Sequence, residues 1–250
     1  MIPLRDNIPT RSTPVVTYAI IAANILVYFF WQRGGFCLGD PSSPHYICNL
    51  QDWAAIPYEI THPGKQVEIA TGCGAPTAPT IATVFTAMFM HGGLLHLGGN
   101  MLFLWIFGNN VEDAMGHVKF IVFYVLGGLA AFALHVATDL HSMTPTLGAS
   151  GAIAAVLGGY ALLYPRARVV TVIFIVFFFT IIELPALVVL GIWFLQQAVM
   201  GYFDLANPSG EGGGVAYFAH VGGFVFGLAA IRLFASSKRL QRGPAQRYAR

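Results

Sequence analysis

Apolar runs alternate along the chain with short polar or charged interruptions, and most of the runs are longer than a soluble core helix requires. Six read as membrane spans. The first extends from about Val15 to Trp31, behind Arg5, Asp6 and Arg11. It is longer than a signal-peptide core and no small-residue cleavage pattern follows it, so it reads as a retained span. Residues 81–107 are apolar apart from His91-Gly92-Gly93, which places the second span from about Gly93 to Phe107 with 81–90 leading into it. The third runs from about Val118 to Ala137 and stops at Asp139. The fourth is Ser150 to Tyr164. The fifth lies between Glu183 and Asp204, with Pro185 suited to its first turn. The sixth is Ala216 to Phe234, after a Gly-rich loop at 207–214.

Two stretches fit this scheme less simply. Residues 169–182 are β-branched and aromatic but too few for a span, so they suit a strand-like or interfacial segment or a short helix. A seventh span there would move the basic C-terminal tail to the other side of the membrane. The fourth run has 15 residues, which at 1.5 Å each reach about 22 Å across a hydrocarbon core of about 30 Å. With Arg166 and Arg168 at one interface, Ser150 must begin below the other. The preceding Thr144–Gly148 segment then dips inward as irregular backbone, which only a protein-lined or wet site tolerates.

Composition agrees with the pattern: 56% hydrophobic against 10% charged residues excludes a water-soluble surface. Net charge of +2 says little, but placement says more. Arg5, Arg11, Lys119, Arg166, Arg168, Arg232, Lys238, Arg239, Arg242, Arg247 and Arg250 share one side of a six-span topology; only Arg33 and Lys65 fall on the other. The expectation is therefore an all-α membrane protein with both termini cytoplasmic, multi-pass in the cell (inner or plasma) membrane. It forms a single domain over 1–250, with its core at about 80–235, an external first loop at 32–80 and a basic tail at 236–250. Beside a span, that tail is an orientation signal or a contact for anionic lipid rather than for nucleic acid. Cys37, Cys48 and Cys73 all fall in the first loop, where one disulfide with one thiol left over is possible.

Spans two, four and six run in the same direction, so His96 and Asn100, Ser150, and His220 share one depth. Ser150/Ala154/Gly158 and Gly151/Ala155/Gly159 form small-residue rows on span four, and Gly223/Gly227 does so on span six, which lets the two helices approach closely. A serine hydroxyl is a weak nucleophile until a base takes its proton, and neutral histidine suits that role. His220 is the candidate base. No Asp or Glu falls inside a span, so Ser150 and His220 would act as a dyad. His96 and Asn100, four apart on one face, together with the free N–H groups opening span four, suit a developing oxyanion. His91 reads as a loop-fixing residue. A zinc site from His91, His96 and His220 is the weaker alternative, lacking HExxH or a carboxylate base; no metal or other cofactor is expected.

Three segments, in order and spacing, resemble the rhomboid intramembrane serine proteases: His91-Gly-Gly-Leu-Leu-His96-Leu-Gly-Gly-Asn100-Met, Gly148-Ala-Ser150-Gly151, and Ala219-His220-Val-Gly-Gly223-Phe-Val-Phe-Gly227. The resemblance covers roughly 80–235 and is greatest to bacterial members with a six-helix core. It implies Ser150 as nucleophile, His220 as base, and His96, Asn100 and the Ser150 amide as oxyanion stabilisers, with His91, Gly148, Gly151, Gly223 and Gly227 in support. It implies transmembrane proteins as substrates, cut near their outer ends. Two departures stand out. A Trp-Arg pair common in the first loop is replaced by Ala82 and Thr83, and a tyrosine four residues after the serine is replaced by Ala154, for which Tyr217 is a possible substitute. An inactive relative that binds membrane-protein clients, and a transporter or channel, are the competing readings; this chain keeps both serine and histidine, and shows no midplane charge or inverted repeat.

Overall fold

The computed structural model describes residues 1–38, 41–175, 177–206, 215–236 and 239. The Gly-rich loop at 207–214 and most of the basic tail lie outside them. In chain order the elements are strand β1 (Ile2–Asp6), helix α1 (Val15–Trp31), short helices α2 (Pro44–Trp53) and α3 (Pro57–Thr61), and α4 (Thr80–Phe89). Then follow α5 (Leu94–Met115), α6 (His117–Thr138), α7 (Ser150–Leu163), a hairpin of β2 (Arg168–Ile175) and β3 (Phe178–Pro185), α8 (Ala186–Ala206) and α9 (Tyr217–Phe234). The protein is mostly helical. Helices α6, α8 and α9 are long and apolar enough to cross a membrane, and α4 with α5, bent by 77°, makes a fourth crossing if taken as one broken span. Helices α1 and α7 are apolar but shorter. The break between α4 and α5 falls at Gly93, whose φ of +151° few side chains tolerate.

Helix α7 is the hub. It packs against α6 and α9 above all, and every residue from Gly151 to Ala161 is buried. The small residues read from the sequence lie in that packing. A Cβ added to Gly223 would collide with the Gly151 carbonyl, one at Gly227 with the Ala155 carbonyl, and one at Gly158 with the Phe224 carbonyl. Backbone therefore touches backbone along the α7–α9 seam, the arrangement that small-xxx-small faces allow.

The structure departs from the sequence expectation in three places. First, the fold is not purely α. Residues 169–182 form most of the β2–β3 hairpin, and the N-terminal residues add β1, giving an antiparallel sheet in the order β1-β2-β3 with Val169 opposite Asp6 and Leu184. Second, the helix of the second span does not stop at Phe107 but continues to Met115. Its polar end is satisfied internally: Glu112 accepts from the Val16 and Thr17 backbone N–H groups (3.0 and 2.7 Å) and the Thr17 hydroxyl (2.7 Å), capping α1. Asp113 pairs with Arg11 at 3.0 Å and accepts from Ser12 Oγ at 2.6 Å. Third, Pro185 closes β3 rather than opening a helix, and α8 begins at Ala186, whose N–H donates to the Ala167 carbonyl (2.8 Å).

Asp6, at the end of β1, extends this polar cluster. Asn110 Nδ2 (2.7 Å) and Tyr160 Oη (2.6 Å) both donate to its carboxylate. Burial nonetheless dominates and pushes the carboxyl from 3.8 up to about 6, against the lowering effect of the Tyr160 hydrogen bond.

Two expectations follow. Gly223→Ala and Gly227→Ala should each cost about 1–3 kcal/mol of stability through overpacking, read as a lower midpoint in thermal unfolding in detergent, while Gly191→Ala on α8, where an added Cβ meets nothing within 4 Å, should be neutral to slightly stabilising. Equal midpoints for all three would mean the seam is not closed. Because the folded-state pKa of Asp6 is raised, the stabilisation belongs to the protonated carboxyl: it is full below about 3.8 and lost as pH rises through about 6. Asp6→Asn should therefore gain thermal stability over wild type above that window and show little gain below it; a constant offset across the window would sink the assignment.

Candidate active site

Ser150 is the first residue of α7, and the segment before it is stitched to the first loop. Tyr58 N–H donates to the Ser142 carbonyl (2.9 Å), Ala55 and Thr146 exchange both backbone hydrogen bonds (3.1 and 2.8 Å), and Gly148 N–H donates to the Ala87 carbonyl (2.8 Å). The stretch expected to be irregular is so, and it is bonded to the first loop and to α4. Gly148 has φ of +123° and also makes room: a Cβ there would stand 2.8 Å from His96 Nε2 and 3.5 Å from Ser150 Oγ. The first loop is braced by the Cys48–Cys73 disulfide, with Cys37 exposed outside it. Thr86 Oγ1 also anchors it, donating to the Trp53 carbonyl (2.8 Å); Thr83, at one of the departing positions, is buried and bonds within α4.

Seventy residues on in sequence, His220 of α9 brings Nε2 to 2.7 Å from Ser150 Oγ. Its Nδ1 lies 2.7 Å from Gln197 Oε1 on α8. A carbonyl oxygen only accepts, so Nδ1 carries the proton and Nε2 presents its lone pair to the serine hydroxyl. The hydrogen bonds thus run from α8 through α9 to α7. The ring of Trp193, also on α8, tilts beside His220 with centroids 5.7 Å apart; Tyr217, the substitute suggested by the sequence, makes no ring pair with His220. Gln197 and Trp193 were missed in the sequence. The available signal for Gln197 was a polar amide in an otherwise apolar span, which is costly unless it is partnered.

His96 reaches the same place from α5. Gly92 N–H donates to its Nδ1 (3.2 Å), which leaves the proton on Nε2, the atom nearest Gly148. One turn on, Asn100 is buried and its Nδ2 has no hydrogen-bond partner among the described residues, an orphaned donor of the kind that an oxyanion would satisfy. His96, Asn100, Gly148, Ser150, Trp193 and His220 all line one cavity of about 830 Å³. His91 does not line it. Gln32 Nε2 (3.2 Å) and Tyr46 Oη (3.1 Å) donate to the His91 carbonyl, its N–H donates to Gln32 Oε1 (2.9 Å), and its ring stands edge-on to His96. The loop is thus held by the His91 backbone, while both nitrogens of its buried ring have no hydrogen-bond partner among the described residues. Among the described residues no three His, Cys, Asp or Glu side chains converge as metal ligands, so the alternative three-histidine zinc arrangement is not formed.

The family profile described as Rhomboid domain matches residues 79–237. The chain belongs to the rhomboid family. It is 30% identical over 150 residues to Rhomboid protein 1, mitochondrial, of Saccharomyces cerevisiae, covering 58% of this chain and 40% of that one. It is 27% identical over 216 residues to the presenilin-associated rhomboid-like protein, mitochondrial, of Mus musculus, covering 84% and 46%. Rhomboid protease GluP of Bacillus subtilis is 32% identical over 131 residues, covering 50% and 25%. The chain spans less than half the length of each of these relatives. The rhomboid match encloses all four site helices: α5, α7, α8 and α9.

Proposed function

We propose that this rhomboid protein is an intramembrane serine endopeptidase that cuts transmembrane segments of other membrane proteins. The observation that carries the reading is the chain of hydrogen bonds Gln197–His220–Ser150 at the wall of a cavity lined by an orphaned amide donor. GluP, which is named a protease, supports it from the side of the comparisons.

In this mechanism His220 Nε2 accepts the Ser150 proton as Oγ attacks the scissile carbonyl. The tetrahedral oxyanion takes hydrogen bonds from His96 Nε2–H, Asn100 Nδ2 and the Ser150 backbone N–H. The imidazolium then gives its proton to the leaving amine; the neutral imidazole left behind accepts one from the water that attacks the acyl-enzyme and passes it to Ser150 Oγ as the acyl bond breaks. Gln197 Oε1 holds the Nδ1 proton throughout, which keeps Nε2 facing the serine. Gln197 orients the ring in place of a triad carboxylate, so the catalytic unit itself is the Ser150/His220 dyad. No cofactor enters the scheme. The proposal includes one rhomboid-like domain over 1–250, in which α1 and α7 complete six crossings and both termini face the cytoplasmic side, with the site near the opposite face. The chain is a membrane protein, and the proteins similar to it include mitochondrial and bacterial ones.

Ser150→Ala and His220→Ala should each abolish cleavage of a transmembrane substrate in proteoliposomes, with the double variant no worse than either, because cooperating residues are not additive. Asn100→Ala should lower turnover by about one to three orders of magnitude, as for one lost oxyanion donor. A fluorophosphonate should label Ser150 in wild type and fail on His220→Ala. Folded wild type that binds membrane-protein clients yet is neither labelled nor proteolytic would favour the inactive relative. For topology, a reporter fused at the C-terminus should report the cytoplasmic side; activity only on the other side would end the six-crossing arrangement.

A further inference from the structure

The β2–β3 hairpin stands outside every use made of the fold so far, and its far half touches little of the bundle. Val169 and Thr171, at its root, are buried against the helices and flanked by β1, which pairs with β2 only as far as Val172. Beyond that point Ile173–Ile175 pair only with Phe178–Thr180. The exposed large apolar side chains there are Phe174, Ile175, Phe177, Phe178 and Phe179, with Phe177 92% and Phe178 79% accessible. Two-stranded ribbons are marginal in water, and a long apolar edge strand is an aggregation hazard.

Three observations say what surrounds this tip. Phe178 and Phe179 are consecutive in a strand, so they point to opposite faces, and both are exposed; a partner strand or protein surface would cover an edge or one face, whereas a surrounding medium covers both. Charge is sorted along the hairpin: residues 169–182 carry none, while Arg5, Arg166, Arg168 and Glu183 gather at the root, where Arg168 and Glu183 pair at 3.6 Å. The root is also continuous with the membrane helices, since α7 ends just before β2 and α8 starts where β3 stops, with Ala186 bonded back to Ala167. It therefore stands at the membrane surface.

We infer that the hairpin tip is embedded in the lipid interface of the leaflet at the Arg166/Arg168 end, with the aromatic side chains among the acyl chains and the root charges among the headgroups. Depth is limited by the outer edge of β3, whose unpaired backbone N–H and C=O groups need water or headgroups and are not tolerated in the hydrocarbon core. The hairpin thus lies at the acyl–headgroup boundary and does not cross. This inference is independent of the proteolytic reading.

Spin-labelled Phe178→Cys in a Cys37→Ser background, with the full chain in phosphatidylcholine–phosphatidylglycerol vesicles, tests it; Cys48 and Cys73, being paired, do not take the label. Power saturation should show strong collision with oxygen and a loss of collision with a water-soluble nickel chelate, relative to Lys65→Cys on the first loop. Nickel access at Phe178 equal to that at Lys65 would overturn the inference in favour of a water-exposed hairpin. Access to neither reagent, with dipolar broadening, would overturn it in favour of a second copy on the β3 edge. Phe177→Cys, at the turn and outside the strand pairing, provides the same readout if the Phe178 variant fails to fold.

Discussion

The contact of backbone with backbone between α7 and α9 is the constraint on which the rest depends. Helices in ordinary packing stand about 8–10 Å apart because side chains fill the space between them. Here Gly151, Ala155 and Gly158 on one side and Gly223 and Gly227 on the other leave no such filling. Only at that separation does a side chain as short as serine meet an imidazole on another helix at 2.7 Å. Without a hydrophobic drive between helices in lipid, van der Waals contact of this kind is also what holds the pair together.

Depth is the second requirement, and it is met from both ends of α7. At one end Gly148 and Thr146 are bonded to Ala87 and Ala55, so the irregular stretch before Ser150 is fixed against α4 and the first loop. At the other end Asp6 holds Tyr160, and Tyr164 donates to the Asn110 carbonyl at 3.1 Å, which ties α7 to the N-terminal strand and to the polar end of α5. Carboxylates that read in the sequence as markers of helix ends are thus caps and clamps. Glu112 and Asp113 bind the chain at Val16–Thr17 and Arg11–Ser12, about a hundred residues away.

The helical runs, the small-residue faces and the Ser150–His220 pairing were legible because each follows from local rules: hydropathy for the runs, close packing for the glycines, and shared depth for the polar groups. What escaped was settled by distant partners. Residues 2–6 are too short and too polar to read as a strand until β2 lies beside them. The extension of α5 through Asn109–Met115 runs against its polarity and is made possible by donors on α1 and its approach. Gln197 was hidden by averaging over an apolar window, although a single amide in such a window demands a partner, and His220 is that partner. Trp193, not Tyr217, makes the ring pair with His220 because α8, rather than the start of α9, faces the ring.

The order of these helices along the chain has a consequence for biosynthesis. Ser150 is made and threaded before Gln197, and Gln197 before His220, whose helix is the last that the structure describes. Until α9 docks, the serine has no acceptor for its proton, and the orphaned Asn100 amide faces a cavity with one wall missing. On the proposed mechanism, a nascent or truncated chain would therefore be chemically quiet among the membrane segments that surround it during insertion, because the Ser150–His220 contact forms only when the last of these helices docks.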